Sequence, residues 1–232
     1  MLVKHILNSR KYFDLNIGND NEYYGFTLAC FFDNIEIIDL LLNTNKFVNY
    51  NLSDDIGETG FIKACHRCNI NTIEKLLNTK KHINYNHQSH DGTTGFINVC
   101  MYVCSNLNYY VSNNYNITKV ENQNLLKLLV TTNKYIDYNI QDNLGISGFL
   151  YLCCSGKIDS VNILLNCDKN INYNLKDNCS NSGFMYSCYE NNIELVSLLL
   201  NSIRNIDYNS QNITLSTGFN YVCSEGYIEV LK

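Results

Sequence analysis

At 232 residues the chain is long enough to bury a full hydrophobic core. Charged residues are 17%, the net charge is −5 and the isoelectric point lies near 5.5, which argues against a phosphate-backbone partner, since that needs a basic face. No apolar run approaches the roughly 18 residues of a membrane span and Met1 to Asn16 has no apolar signal core, so the expectation is an intracellular, cytoplasmic protein with neither membrane nor nucleic acid as partner.

From the N-terminus, Ile6-Leu7-Asn8 matches Leu41-Leu42-Asn43 and Lys11 matches Lys46, so the chain opens inside a repeat. The repeat declares itself at Gly25-Phe26, with Cys30 four residues beyond the Phe, and recurs at Gly60-Phe61, Gly95-Phe96, Gly148-Phe149, Gly183-Phe184 and Gly218-Phe219. The intervals are 35, 35, 53, 35 and 35, so one repeat carries an 18-residue insertion. A fixed period of this size means stacked supersecondary units, each burying its apolar face against its neighbours. The predicted division is a single array: partial repeat 1–18, repeats 19–53, 54–88, 89–141 with the insertion near 104–121, 142–176 and 177–211, and partial repeat 212–232.

Within the second repeat, Asp54-Asp55-Ile56-Gly57 is a turn, Thr59 an N-cap, and helix A runs from about Gly60 to Arg67. Helix B follows, with Ile70, Ile73, Leu76 and Leu77 on one face, as Ile35, Ile38, Leu41 and Leu42 are in the repeat before. The tail Ile83-Asn84-Tyr85-Asn86 leads out as an extended arm. In the repeat that begins at Gly95, helix A continues through Val103, Cys104 and Leu107 before a polar stretch, and the capping-box spacing of Thr118 and Glu121 predicts a helix B over about Lys119–Thr131. The insertion is a tolerated loop, or a lip on which Tyr109, Tyr110 and Tyr115 add contact surface. Both ends fall within a repeat and carry no polar cap, which suits a piece of a longer array, a truncated reading frame, or ends covered by neighbouring chains.

This pattern resembles the ankyrin repeat over essentially the whole chain. The family pattern D-x-x-G-x-T-P-L-H-x-A-A-x-x-G-x-x-x-I-V-x-x-L-L lies over Asp54, Gly57, Thr59, Gly60, Phe61, Ile62, Ala64, Cys65, Ile73, Leu76 and Leu77. Gly stands where the family has Pro, which predicts a more flexible first helical turn. The family's His is Thr27, Ile62, Ile97, Leu150, Met185 or Asn220 here, which predicts looser finger turns, and the period is 35 rather than 33, with the extra pair placed at the Tyr-Asn of each arm. The resemblance implies an all-α, ankyrin-type solenoid of helix-turn-helix repeats joined by extended arms, acting as a protein-binding scaffold without catalysis or cofactor.

The residues agree with that implication. No G-x-S-x-G, P-loop, H-E-x-x-H or G-x-G-x-x-G is present. Of the cysteines, Cys30, Cys65, Cys100, Cys153, Cys188 and Cys223 share one register, where a small side chain lets helices approach; Cys65 and Cys68 have zinc-like spacing but are expected to diverge. His82, His87 and His90 are expected to be solvated loop residues. The rival functions are a metal- or redox-active protein using surplus thiols, or the targeting arm of a ubiquitin ligase, for whose F-box-like tail no residues remain. With no Pro and an excess of Asn and Tyr, the composition fits an AT-rich genome.

The resemblance also places a partner on the concave side, lined by finger tips and the outward positions of helix A. Those positions give Phe31, His66, Met101, Cys154, Tyr189 and Ser224 in one row and Phe32, Arg67, Tyr102, Ser155, Glu190 and Glu225 in the next, with Tyr151, Tyr186 and Tyr221 flanking. Asp55, Ile56, Asn143 and Leu144 are the finger contacts. Large exposed aromatics there are expected to have no task in the stack.

Overall fold

The computed structural model describes residues 2–20, 22–104 and 119–227. Among them are twelve helices: α1 Leu2–Asn8, α2 Gly25–Phe31, α3 Ile35–Asn43, α4 Gly60–His66, α5 Ile70–Asn78, α6 Gly95–Cys104, α7 Lys119–Thr131, α8 Gly148–Cys154, α9 Ile158–Asn166, α10 Gly183–Tyr189, α11 Ile193–Leu200 and α12 Gly218–Ser224. Adjacent short helices pair and stack, giving the all-α, ankyrin-type solenoid expected. The chain divides into two compact units, residues 1–98 with 133–136, and residues 99–132 with 137–232. Leu107, Tyr109, Tyr110, Tyr115 and Thr118 lie outside the described residues.

Helix A starts where a hydroxyl can take an orphan amide. Thr59, Ser147, Ser182 and Thr217 each accept from the backbone N–H three residues on, the side-chain cap of α4, α8, α10 and α12. In α2, α4, α8 and α10 it stops after seven residues because the chain turns left-handed just beyond, at Asp33, Cys68, Gly156 and Asn191. Helix B then lays its apolar stripe inward: Ile38, Ile73, Leu76, Leu164 and Leu199 are fully or almost fully buried.

The first helical turn is set by contact, so the expected flexibility is not what Gly provides. An added Cβ on Gly60 would sit 2.9 Å from the Phe26 ring and 3.0 Å from Cys30 Sγ. On Gly95 it would meet Phe61 at 2.5 Å and Cys65 Sγ at 3.0 Å, and on Gly183 it would meet Phe149 at 2.7 Å and Cys153 Sγ at 3.0 Å. Gly, Phe and Cys therefore form one device: the backbones of α4, α6, α10 and α12 rest on the ring and thiol of the repeat before them.

The arm closes each unit of packing. Its Tyr ring meets the helix A Phe edge-on, at 4.9 Å for Phe26–Tyr50, 5.0 Å for Phe61–Tyr85, 5.1 Å for Phe149–Tyr173 and 4.9 Å for Phe184–Tyr208. Its hydroxyl donates to a carbonyl late in helix B: Tyr50 to Leu41, Tyr85 to Leu76, Tyr138 to Leu129 and Tyr173 to Leu164, at 2.7–2.8 Å. Successive arms are tied by Asn. The Asn139 side chain donates to Asn170 O at 3.0 Å and accepts from Asn172 N at 2.7 Å. Asn51 bridges to His82 O and Asn84 N in the same way, at 3.3 and 2.7 Å.

The finger turns are firm, not loose. Asp54 Oδ1 accepts from the amides of Ile56 and Glu58, Asp142 Oδ1 from Leu144 and Ile146, and Asp177 Oδ1 from Cys179 and Asn181. In each of these turns the aspartate carboxylate does the closing. One turn position is left-handed throughout: Gly57, Gly92 and Gly145 have φ of 81°, 83° and 76°, whereas Ser180 and Leu215 occupy it at 63° and 59°. Neighbouring fingers hydrogen-bond within each unit, His90 N to Ile56 O at 3.0 Å and Asn178 N to Leu144 O at 3.0 Å.

Candidate functional site

In the first unit the outward face of α4 is built on a buried ionic cluster. Lys63 Nζ lies 2.5 Å from Asp54 Oδ2 and 2.7 Å from Glu58 Oε2, and the other Glu58 oxygen is 2.9 Å from His66 Nδ1. Asp54 is closed to solvent and Glu58 nearly so, so Lys63 is what makes two carboxylates tolerable in one turn. Burial pushes the Glu58 carboxyl up, but hydrogen bonds from His66 and Lys63 outweigh it and hold it below the usual range. For Lys63, burial pushes the ammonium down and the bonds to Asp54 and Glu58 outweigh it, holding it above its ordinary value.

This cluster locks the finger against helix A and positions the aromatic patch beside it. Lys63 Nζ stands 5.7 Å and Arg67 Cζ 5.0 Å from the Phe31 ring, which meets Phe32 edge-on at 5.0 Å. Phe31 and Arg67 are half-buried, while Phe32 is 62% exposed. His66 and the tip residues Asp55 and Ile56 are exposed beside them.

In the second unit, position 63 of the repeat becomes Tyr. Tyr151 Oη donates to Asp142 Oδ2 at 2.6 Å and Tyr186 Oη to Asp177 Oδ2 at 2.5 Å, while Tyr221 Oη accepts from Asn212 Nδ2 at 2.7 Å. The expectation that these aromatics have no task in the stack is corrected: each half-buried phenol ties helix A to its own finger turn, nine residues upstream. Burial, with Asp177 beside it, pushes the Tyr186 hydroxyl up. Tyr189 is 51% exposed, with its ring edge-on to Tyr221 at 5.4 Å. Cys154, Ser155, Glu190, Ser224 and Glu225 are exposed, as are the tip residues Asn143 and Leu144; Met101 and Tyr102 are half-buried.

Among the described residues no three His, Cys, Asp or Glu side chains converge as a ligand set for a metal. Cys68 Sγ donates to Cys65 O at 3.5 Å, and burial pushes both thiols well above their ordinary range. Cys30, Cys100, Cys153 and Cys188 are buried, whereas Cys223 is exposed. On the helix B side a cleft of about 630 Å³ lies between α3 and α5, and Lys75 Nζ spans it to Asp39 at 2.7 Å. No described helix is long and apolar enough to cross a membrane.

Sequence reasoning passed over the ionic cluster, although a signal existed. Lys63 stands where the other repeats carry Leu28, Asn98, Tyr151, Tyr186 and Tyr221, and Glu58 where they carry Tyr23, Thr93, Ile146, Asn181 and Ser216. A simultaneous change at two positions five residues apart is the mark of a pair.

Family models for ankyrin repeats match residues 114–232, in a three-copy form, and residues 26–77, in a many-copy form. A comparison of the sequence with curated proteins finds no match. Among solved structures, EF0377, an ankyrin repeat protein, is similar with a TM-score of 0.73 and 14% identity, over 94% of this chain and 96% of that one. The ankyrin repeat domain of Bcl-3, a member of the IkappaB family, is similar with a TM-score of 0.76 and 18% identity, over 99% and 90%. An ankyrin repeat domain from Acinetobacter baumannii gives 0.69 and 16%, over 88% and 93%.

Proposed function

We propose, from the premise that the chain belongs to the ankyrin repeat family, that it is a non-enzymatic scaffold holding a protein partner on its helix A and finger surface. Ankyrin repeats are in general protein-interaction modules. The observation that carries the surface is the solvent exposure of Phe32, Tyr189, Ile56 and Leu144, large apolar side chains on or beside elements fixed by the hydrogen bonds and ion pairs above. Such side chains on rigid supports lose little entropy on binding, and buried aromatic and Arg anchors dominate interface energetics. Phe32 with Arg67 is the anchor in the first unit, and Tyr189 with Leu144 in the second. Tyr151, Tyr186 and Tyr221 hold the surface in shape.

A photo-crosslinking side chain placed at Phe32 or Tyr189 should capture a partner protein from the native host. The same side chain at Glu74 or Asn162, exposed on helix B, should not. Equal capture from both faces, or capture from helix B alone, removes the assignment.

A further inference from the structure

In the first unit a second row of rings stands clear of the helix A surface. Tyr12, Phe47, His82 and Tyr135 occupy one register, after helix B and before the arm, 35 residues apart and 53 across the insertion. Tyr12 is 88%, Phe47 78% and Tyr135 77% exposed, and His82 is exposed as well. Their backbone serves the stack and their rings do not. The carbonyls of Phe47, His82 and Tyr135 accept from the side-chain amides of Asn16, Asn51 and Asn86, at 3.4, 3.3 and 3.5 Å. The second unit shows that the fold asks for no ring here, because the same register holds the exposed Asn170 and Asn205.

The edge is also basic in an acidic protein. A lysine precedes every ring: Lys11, Lys46, Lys81 and Lys134. Two of them are held in place by carbonyls of the repeat before, Lys46 Nζ on Lys11 O at 3.2 Å and Lys134 Nζ on Thr79 O at 2.7 Å. Arg10 and Lys80 add to the charge, while segments 9–16, 44–51, 79–86 and 132–139 carry two carboxylates between them, Asp14 and Asp137.

We propose that this aromatic and basic edge is a second docking surface, and that its occupant is an extended acidic peptide segment of a partner, with large apolar residues among its carboxylates. Helices pack at about 8–10 Å and an extended chain advances about 3.3 Å per residue, so every third peptide residue meets a ring and the others pass the lysines. An oligonucleotide, the other extended anion that brings apolar faces and negative charge to such an edge, is set against the peptide in the test. This surface stands apart from the helix A and finger surface and is tested separately from it.

The test is fluorescence anisotropy of the intact chain with a labelled peptide of repeating Asp-Glu-Leu, about 12 residues long to span the four rings at about 3.3 Å per residue. A Lys-Arg-Leu peptide and an oligothymidylate serve as comparisons. The acidic peptide should bind, weaken as salt is raised, and lose at least about tenfold in Phe47→Ser/Tyr135→Ser, whose side chains are exposed and whose fold circular dichroism checks. Arg10→Glu/Lys80→Glu, a charge reversal at exposed positions, should lose a similar factor, while Phe32→Ala/Ile56→Ala on the helix A and finger surface should bind as the wild type does. No binding, equal binding of the basic peptide, tighter binding of the oligothymidylate, or a loss confined to Phe32→Ala/Ile56→Ala would each overturn the proposal.

Discussion

A Gly that looks like a loosened Pro is in fact a point of closest approach. Gly95→Ala would drive a methyl into the Phe61 ring and the Cys65 thiol, and should cost roughly 1–3 kcal/mol in a urea titration, the usual penalty for overpacking. Gly25→Ala meets nothing within 4 Å and should be neutral or slightly stabilising, so the pair isolates contact from helix propensity. Lys63→Met leaves Asp54 and Glu58 buried without their cation and should cost roughly 3–5 kcal/mol. The pH dependence has two limbs. Glu58 is held below its ordinary value of 4.5, so its contribution is present above that value and lost as pH falls through the lower folded value. Lys63 is held above 10.5, so its contribution is present below that value and lost as pH rises through the higher folded value. Urea midpoints across the acid range should fall for the wild type and flatten in Glu58→Gln; an unchanged acid limb would place the dependence elsewhere. The Cys register was legible in the sequence because it recurs. That the Gly opposite it exists for the thiol and ring was not, since an approach distance belongs to two repeats at once.

At the scale of elements the sequence was most informative where apolar periodicity and caps coincide, as with α4, whose Thr59 cap and Gly60 start are those expected, and α7 spans Lys119–Thr131 as predicted. It was least informative in the arms, where the Asn and Tyr excess looks like genome composition. The structure gives those residues tasks: Tyr caps helix B and packs on Phe, and Asn joins one arm to the next. Tyr85→Phe keeps the ring and loses one hydrogen bond to Leu76 O, so it should cost about 1 kcal/mol, whereas Tyr85→Ala also empties an aromatic site and should cost about 3–5 kcal/mol. Asn139→Ala should leave the helices intact and sharply raise hydrogen exchange at the Asn172 amide, its acceptor gone. Retained protection there would show that the bridge is redundant. Tyr151 and Tyr186 escaped sequence reasoning for a related reason, since the partner of each phenol lies in a turn that the helical period does not mark.

Across the whole molecule the governing rule is that each repeat touches only its neighbours. Gly60→Ala should therefore raise exchange in the arms at Tyr50 and Tyr85 while the amides around Tyr173 and Tyr208 keep their protection. Uniform loss would mean one cooperative block. The same rule makes the chain a set of aligned variants of itself. The finger position that is Gly57, Gly92 and Gly145 is Ser180 and Leu215 further on, with the same left-handed backbone but a Cβ that this conformation disfavours. Sister repeats thus act as internal donors: transplanting their residue as Leu215→Gly should raise the melting temperature, with a gain of about 1 kcal/mol or less. Gene conversion from a neighbouring repeat would make the same repair in one step, and it would also remove the exposed Leu215 side chain from the finger.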